Sequence, residues 1–310
     1  MFKSIRSTLA LLLGIGVLVT PLYTAGQAGA TNLKRAPQCI VSLSPTATDT
    51  LFSIGAGRQV QAVDQDATFP LKGLPSRKIN ALNPSVESII GICKRTATHR
   101  STKPDLVIIS YDANQIKEKL TALGIKVVEQ DAASSVASAL VQIRQLGSLT
   151  GHVAAANRLA VSINRRINAD IASIPAHPGK VLNVYYELDP TFYSLTSGTF
   201  VGSLLKSLGV VNIADPQSTS ADAGYPQLSS EYIVSANPQL IFLADTVCCK
   251  ATASSVAARP GFATVSAVVH HHVVGLNDSV ASEWGAHLGV LMNQLTAAVK
   301  NALNDAQLWG

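Results

Sequence analysis

The stretch SSVASALVQIRQLGSLTGHVAAANRLAVSINRRINADIASI, residues 134–174, decides the fold that the sequence predicts. Apolar residues recur at every third or fourth position from Val136 to Ile174, as one face of an amphipathic helix requires. Asp131, Ser134 and Ser135 offer N-cap oxygens at its start, and Pro175 with Pro178 and Gly179 ends the pattern. At roughly 1.5 Å per residue, one helix over this stretch would be a rod on the order of 60 Å long.

Gly147 and Gly151 interrupt this pattern and leave a second interpretation open. A glycine bends a helix or divides it, so the stretch is also compatible with two successive helices. The stretch alone does not separate the two interpretations. The sequence on either side favours one continuous or gently bent helix, with any bend between Gly147 and Gly151.

Short β-rich runs alternate with helical patterns on both sides of residues 134–174, as is typical of parallel sheets covered by helices. The predicted strands are residues 40–43, 60–64, 105–110 and 126–129 before this stretch, and 181–186, 210–214, 240–244 and 273–276 after it. Residues 83–90 and 103–108 resemble 227–234 and 237–242, so the two halves are related. We therefore predict an α/β fold of two Rossmann-like lobes with parallel central sheets joined by a single long α-helix. The predicted domains are residues 31–133, 134–174 and 175–310.

The first thirty residues have the pattern of a secretory signal peptide. Lys3 and Arg6 precede an apolar run over 9–19, and Ala28 to Ala30 offers a small-residue cleavage site. The sequence thus predicts an exported protein of the periplasm, the cell surface or the medium, with an uncleaved anchor as the lesser alternative. Cys39 lacks the small and apolar residues that lipoprotein processing requires before its cysteine, so no lipid anchor is expected.

The charge balance excludes one class of partner. The chain has 24 lysines and arginines against 19 aspartates and glutamates, a net charge of +5 spread along the sequence. This surplus is too small and too scattered to indicate nucleic-acid binding, although it is compatible with an anionic ligand.

The predicted ligand-binding residues lie in the loops that follow the strands. In open parallel sheets, ligands bind beyond the carboxyl ends of the strands, where loops and helix N-termini converge. Two lobes can face these ends towards each other across a cleft. The residues expected to bind a ligand there are Ser44, Thr46, Asp66, Phe69, Tyr111, Asp112, Glu187, Tyr193, Tyr225, Lys250 and Trp284.

Several motifs resemble those of one protein family. They are IVSLSPTAT at 40–48, LFSIGAG at 51–57, KPDLVI at 103–108, GYPQLS at 224–229 and NPQLI at 237–241. With them the chain resembles the substrate-binding proteins of ABC importers, in the cluster that binds vitamin B12 and iron-siderophores. The resemblance implies a non-enzymatic monomer without a cofactor, which captures a metal chelate or corrinoid and delivers it to a membrane permease powered by a separate ATPase. Cobalamin, a ferric siderophore and haem all suit such a cleft.

Two glutamates are expected to dock on the permease. The resembled family uses one glutamate per lobe, each near the start of a helix, and Glu87 and Glu231 match these positions in the internal repeat. Each also follows a capping serine, Ser85 or Ser229, so it complements the positive end of its helix as well.

The four cysteines allow three disulfide pairings. Cys39 precedes the first strand, and Cys93 ends a helix that leads into the third, so both lie at the amino edge of the first sheet. We predict a disulfide between them. Cys248 and Cys249 follow a strand of the second lobe and are expected near the ligand, as a vicinal disulfide or as free thiols.

Two other functions are less well supported by the sequence. A zinc or manganese binding protein of the same fold would need histidines from both lobes in the cleft, whereas His270 to His272 fall in a turn at the opposite edge, so no metal site is predicted. A secreted hydrolase could use Glu187 and Asp189 as a carboxylate pair, but the sequence has no G-x-S-x-G, H-E-x-x-H or P-loop motif. An enzyme is therefore not expected.

Overall fold

The computed structural model describes residues 36–70, 72–96 and 99–309. Residues from Ala36 onward form one compact unit. The predicted signal peptide at residues 1–30 lies outside the described residues. Within the described part, no helix is both long and apolar enough to cross a membrane.

The first lobe is a five-stranded parallel sheet covered by helices on both faces. Its strands are β1 (Ile40–Leu43), β2 (Val60–Asp64), β3 (Lys78–Ile79), β4 (Leu106–Ile109) and β5 (Lys126–Glu129), in the order β3-β2-β1-β4-β5. Its helices are α1 (Pro45–Ser53), α2 (Val86–Ile89) and α3 (Ile116–Ala122). β1 and β4 are buried along their whole length, as a strand covered on both faces must be. The order of the strands reverses between β1 and β4, because β2 and β3 extend the sheet on one side of β1 and β4 and β5 extend it on the other. Open parallel sheets bind ligands at such a point.

Residues 134–174 form two helices, so the prediction of one continuous helix is wrong. α4 (Val136–Thr150) ends at Gly151, which adopts the left-handed conformation with φ of 81°, and α5 (Val153–Ala172) follows. The N–H groups of Gly151 and His152 both donate to the carbonyl of Gly147, a closure that terminates helices. The second interpretation of the two glycines is therefore the right one.

α4 and α5 fold back on each other. A Cβ on Gly147 would overlap the Cβ of Ala156, so the helices touch where their backbones are closest. Val136 at the start of α4 and Ile171 near the end of α5 line the same groove, which makes the pair an antiparallel hairpin. α5 is the long helix that leads from the first lobe to the second.

The second lobe repeats the parallel architecture with four strands. They are β6 (Asn183–Glu187), β7 (Val211–Asn212), β8 (Leu240–Leu243) and β9 (Val273–Gly275), in the order β7-β6-β8-β9. Its helices are α6 (Phe200–Ser207), α7 (Ser230–Ala236), α8 (Ala253–Ala257), α9 (Ser266–Val269), α10 (Asp278–Ser282), α11 (Leu288–Asn304) and α12 (Ala306–Trp309). The predicted class of two α/β lobes with parallel sheets is confirmed, and only the extent of the joining helix changes.

The predicted disulfide between Cys39 and Cys93 is confirmed. The two Cα atoms lie 5.9 Å apart, and both cysteines are buried at the amino edge of the first sheet. Cys248 and Cys249 are exposed free thiols, which is one of the two states expected for them.

Candidate ligand-binding cleft

A pocket of about 460 Å³ lies between the two lobes at the carboxyl ends of the strands. The first lobe contributes Ser44, Pro45, Thr46, Asp66 and Ser110, and the second contributes Val247, Cys248, Asp278, Ser279, Ser282, Glu283 and Trp284. The structure therefore brings together four of the predicted ligand-binding residues: Ser44, Thr46, Asp66 and Trp284. We call this space the cleft pocket.

The side chains of the cleft pocket are held by local hydrogen bonds. Ser44 caps α1 by accepting from the N–H of Ala47 at 3.2 Å. The indole Nε1 of Trp284 donates to Oε1 of Gln142 on α4 at 2.8 Å, which ties the second lobe to the helical hairpin. The walls of the pocket are thus positioned before any ligand arrives.

Asp278 fixes the loop that carries Cys248. Its carboxylate accepts from the N–H of Val247 at 2.9 Å and of Cys248 at 2.7 Å. Burial tends to raise the pKa of Asp278, but these N–H groups outweigh burial and leave the pKa lowered. Asp278 is therefore a fixed negative charge in the cleft pocket at neutral pH.

A histidine–carboxylate contact joins the lobes beside the pocket. His287 Nδ1 lies 2.7 Å from Oδ2 of Asp49 on α1, and the His287 N–H donates to the same oxygen at 3.2 Å. The ring of Phe69 packs on His287 with 4.3 Å between centroids. Phe69, a predicted ligand contact, is thus engaged in this contact between the lobes. The hydrogen bond to Asp49 raises the pKa of His287.

Glu283 is a buried carboxyl group in the wall of the cleft pocket. Its residue is 6% exposed, and among the described residues its Oε2 has no hydrogen-bond partner. Burial first, and then the nearby Asp49 carboxylate, raise the pKa of Glu283 to about 7. This group therefore exchanges its proton near neutral pH.

These groups predict that stability falls as the pH rises. Glu283 and His287 bind protons more tightly in the folded chain than in the unfolded chain, and so does Asp245, whose pKa burial raises to about 6. The unfolded state consequently loses protons first, and the free energy of unfolding falls between about pH 5 and pH 8. Glu283→Gln should remove about 2 kcal/mol of this fall.

Urea unfolding at about pH 5 and about pH 8 measures the effect. Glu118→Gln is the matched control, because Glu118 is exposed. An unchanged pH dependence in Glu283→Gln would contradict the role assigned to Glu283.

Glu187 does not line the cleft as predicted, because its side chain has no accessible surface. Arg259 holds it in a two-pronged ion pair, with Nη1 at 2.6 Å from Oε2 and Nη2 at 2.7 Å from Oε1. The guanidinium also lies 5.4 Å from the ring centroid of Phe192 and 5.5 Å from that of Phe262. The Glu187 carboxylate is therefore paired inside the second lobe and is not available to a ligand.

The other predicted ligand residues lie outside the cleft pocket. Tyr111, Tyr193 and Tyr225 are exposed, and so is Lys250. Asp112 accepts from the N–H of Lys117 at 2.9 Å and lines a separate pocket with Glu87. Their role in ligand binding stays a prediction.

Ser110, Asp278 and Glu283 also line the cleft pocket, although they were not among the residues expected to bind a ligand. Asp278 and Glu283 belong to the loop from Asp278 to Trp284, which the sequence places at the cleft, and Ser110 directly follows β4.

Two histidines of the run at 270–272 contact the carboxylate of Asp305. His272 Nε2 lies 3.0 Å from Oδ2 of Asp305, and His270 Nδ1 lies 3.9 Å from the same oxygen. Among the described residues, no group of three or more histidine, cysteine, aspartate or glutamate side chains is arranged to hold a metal ion.

A family model described as periplasmic binding protein matches residues 40–280. The chain belongs to the periplasmic binding protein family. It is 28% identical over 265 residues to an uncharacterised ABC transporter substrate-binding lipoprotein, YvrC, from Bacillus subtilis, covering 83% of this chain and 78% of YvrC. It is 30% identical over 216 residues to a cobalamin-binding protein from Halobacterium salinarum, covering 68% of this chain and 55% of that protein.

Solved structures of periplasmic binding proteins share the fold. The heme-binding protein RhuT from Roseiflexus superposes with a TM-score of 0.70 at 21% identity, over 86% of this chain and 99% of RhuT. The vitamin B12-binding protein BtuF of Vibrio cholerae superposes with a TM-score of 0.67 at 21% identity, over 87% of this chain and 99% of BtuF. The family binds solutes outside the cytoplasm.

Proposed function

We propose that the chain is the extracytoplasmic substrate-binding component of an ABC importer and that its ligand is a cobalamin-type corrinoid. The class of ligand is inferred from the charge of the cleft pocket. Asp66, Asp278 and Glu283 line it together with serine hydroxyls, and within the described residues its lining contains no lysine or arginine.

This charge disfavours the two other ligand classes. Haem presents two propionate carboxylates, and ferric catecholate siderophores carry net negative charge, so both would be repelled by an acidic lining. The amide-rich edge of a corrin is neutral, so an acidic lining does not repel it. Serine hydroxyls and carboxylates are suitable partners for such amides.

The absence of an iron ligand at the pocket supports the same choice. Haem iron in proteins is held by histidine, cysteine, methionine or tyrosine side chains. In the described chain the only one of these residue types that lines the cleft pocket is Cys248. A side-chain hydrogen bond with Cys249 raises the pKa of Cys248 to about 12, which keeps its sulfur protonated at neutral pH. The relative from Halobacterium salinarum is named for cobalamin, which agrees with this proposal.

Glu87 and Glu231 are proposed to dock on the permease. Both are exposed in the first turn of a helix, α2 or α7, that a serine caps. The pKa of Glu231 is lowered by its own backbone N–H and by Ser230 and Ser229, so its charge persists in mildly acidic conditions. One anionic group per lobe suits recognition of two arginines on a two-fold partner.

Intrinsic fluorescence provides the test of the ligand. The chain has two tryptophans, and of these Trp284 lines the cleft pocket whereas Trp309 lies in α12. Cyanocobalamin is expected to quench the mature protein and the Trp309→Phe variant with micromolar or tighter affinity, whereas Trp284→Phe should lose most of the signal. Haemin, a ferric catecholate and zinc chloride should give no saturable response. A response to haemin or zinc without one to cyanocobalamin would overturn the proposal.

The docking glutamates supply a control that separates binding from transport. Glu87→Gln with Glu231→Gln should leave the affinity for cyanocobalamin unchanged, because neither residue lines the cleft pocket. The same pair should abolish uptake of labelled cobalamin by the source cell. Uptake at the unmodified rate would remove the docking role.

Export through residues 1–30 is the remaining part of the proposal. The Bacillus relative is named a lipoprotein, whereas this sequence predicts no lipid anchor. The intact mass of the exported protein decides between the two, since a lipid adds a characteristic increment.

A further inference from the structure

We propose that a basic pocket at the amino edge of the first sheet is a binding site for a phosphate oxyanion. The pocket measures about 450 Å³, and three cationic side chains line it: Arg58, Arg77 and Lys94. Arg58 comes from the turn before β2, Arg77 directly precedes β3, and Lys94 follows the disulfide-bonded Cys93. Three separate chain segments thus converge on one space, which we call the basic pocket.

The three cations lack counter-charges. Among the described residues, none of their side chains makes a hydrogen bond or an ion pair, and no aspartate or glutamate lines the basic pocket. Cations gathered around one space repel each other, and a bound anion relieves this repulsion. Guanidinium groups match the geometry of phosphate oxygens through paired N–H donors, and lysine adds a point charge.

The surrounding sequence concentrates positive charge in this region. Residues 57–103 contain eight lysines and arginines but only three carboxylates, Asp64, Asp66 and Glu87, a net charge of +5 that equals the net charge of the whole chain. Asp64 and Asp66 lie at the opposite, carboxyl end of β2, and Glu87 lines a different pocket. The rest of the chain is therefore neutral overall, so the surplus is not scattered as expected above but falls within this one segment, which includes the three cations of the basic pocket.

Asp105, a carboxylate at this edge of the sheet, is already engaged by other partners. Asp105 accepts from the N–H groups of Gln38 at 2.7 Å and Cys39 at 3.1 Å, and it lies 3.2 Å from Nε2 of His99. It therefore serves the backbone at the start of β1 rather than the three cations.

The backbone beneath the cations is fixed while their charged ends stay free. The N–H groups of Gly91 and Cys93 both donate to the carbonyl of Thr102, at 3.0 and 3.2 Å, and the disulfide anchors the residue before Lys94. The carbonyl of Arg77 accepts from Val63 on β2 at 3.1 Å. A site whose bases are fixed loses less entropy on binding than an unstructured basic loop does.

The basic pocket is separate from the sites proposed above. It shares no lining residue with the cleft pocket or with the pocket around Glu87. Phosphate oxygens could come from a soluble phosphate or from the headgroup of an anionic lipid, and the experiment distinguishes these two sources.

The test compares two triple variants of the mature protein with its disulfide intact. The pocket variant removes all three positive charges from the basic pocket and combines Arg58→Gln, Arg77→Gln and Lys94→Gln. Arg158→Gln with Arg165→Gln and Lys206→Gln removes the same charge from exposed positions elsewhere and is the matched control. All six side chains are exposed, so both variants should keep their unfolding midpoints and their affinity for cyanocobalamin.

The probes are inorganic phosphate, measured by calorimetry, and vesicles of equal parts phosphatidylglycerol and phosphatidylcholine, measured by flotation with pure phosphatidylcholine as the blank. The unmodified protein and the control should bind at least one probe alike, and the pocket variant should bind it at least about tenfold more weakly. Binding of inorganic phosphate identifies a soluble source, and binding of the anionic vesicles alone identifies a lipid headgroup. Equal weakening in both variants, or no binding of either probe, would overturn the proposal.

Discussion

Replacing Arg259 by methionine is expected to lower the free energy of unfolding by about 3–5 kcal/mol. The substitution leaves the Glu187 carboxylate without accessible surface and without its two-pronged partner. Asp245 makes the loss worse, because it is also fully buried and both of its oxygens lack partners among the described residues. Glu187 and Asp245 are neighbouring buried acids that both interact with the positive charge of Arg259, so without it they cannot both ionise.

Urea denaturation at neutral pH measures this loss. Arg166→Met is the matched control, because Arg166 is exposed and its Nε lies as far as 3.9 Å from Oδ2 of Asp170. So long an ion pair at an exposed site contributes at most about 0.5 kcal/mol. The double variant Glu187→Met with Arg259→Met should recover most of the stability, since it removes both charges. A loss below about 1 kcal/mol in Arg259→Met would show that the pair does not hold the lobe together.

Replacing Gly147 by leucine is expected to cost about 1–3 kcal/mol, although leucine is a far better helix former than glycine. Even a Cβ at this position would overlap the Cβ of Ala156 and approach the carbonyl oxygen of His152 to 3.2 Å. The side chain therefore has to push α4 and α5 apart at the point where they cross. The cost of this steric overlap exceeds the gain in free energy from helix propensity. A loss of stability in Gly147→Leu is therefore evidence that α4 and α5 pack against each other at Gly147.

Ser148→Leu is the control for Gly147→Leu, because Ser148 is the next residue of the same helix and is exposed. It should leave the unfolding midpoint within about 0.5 kcal/mol of the unmodified protein. If Gly147→Leu were stabilising, residues 134–174 would have to be one straight helix after all.

The strands were predictable because buried parallel strands are short apolar runs between turn residues. β1, β2 and β5 have the predicted bounds, whereas β3 was missed because it has only two residues. The disulfide followed from topology, since both of its cysteines precede strands of one sheet. The break at Gly151 did not follow, because it depends on the packing of Gly147 against Ala156, nine residues away in the sequence.

The candidate site was predictable only as far as strand ends determine it. Ser44, Thr46, Asp66 and Trp284 were found because they follow strands and so reach the cleft. Glu187 also ends a strand, but its side chain points to the face that α8 covers, and its partner Arg259 is 72 residues away. The sequence contains no local pattern for such a pairing.

The shared core has a consequence for the lobes as folding units. One apolar cluster includes Ile40 of β1, Ile163 of α5, Tyr186 of β6 and Leu291 of α11, so it runs through both lobes without interruption. A fragment cut near Gly151 would therefore carry a bare apolar helix face on either side of the cut. The two lobes resemble each other as duplicated parts, yet they share one continuous apolar core, so we expect them to unfold together rather than as independent modules.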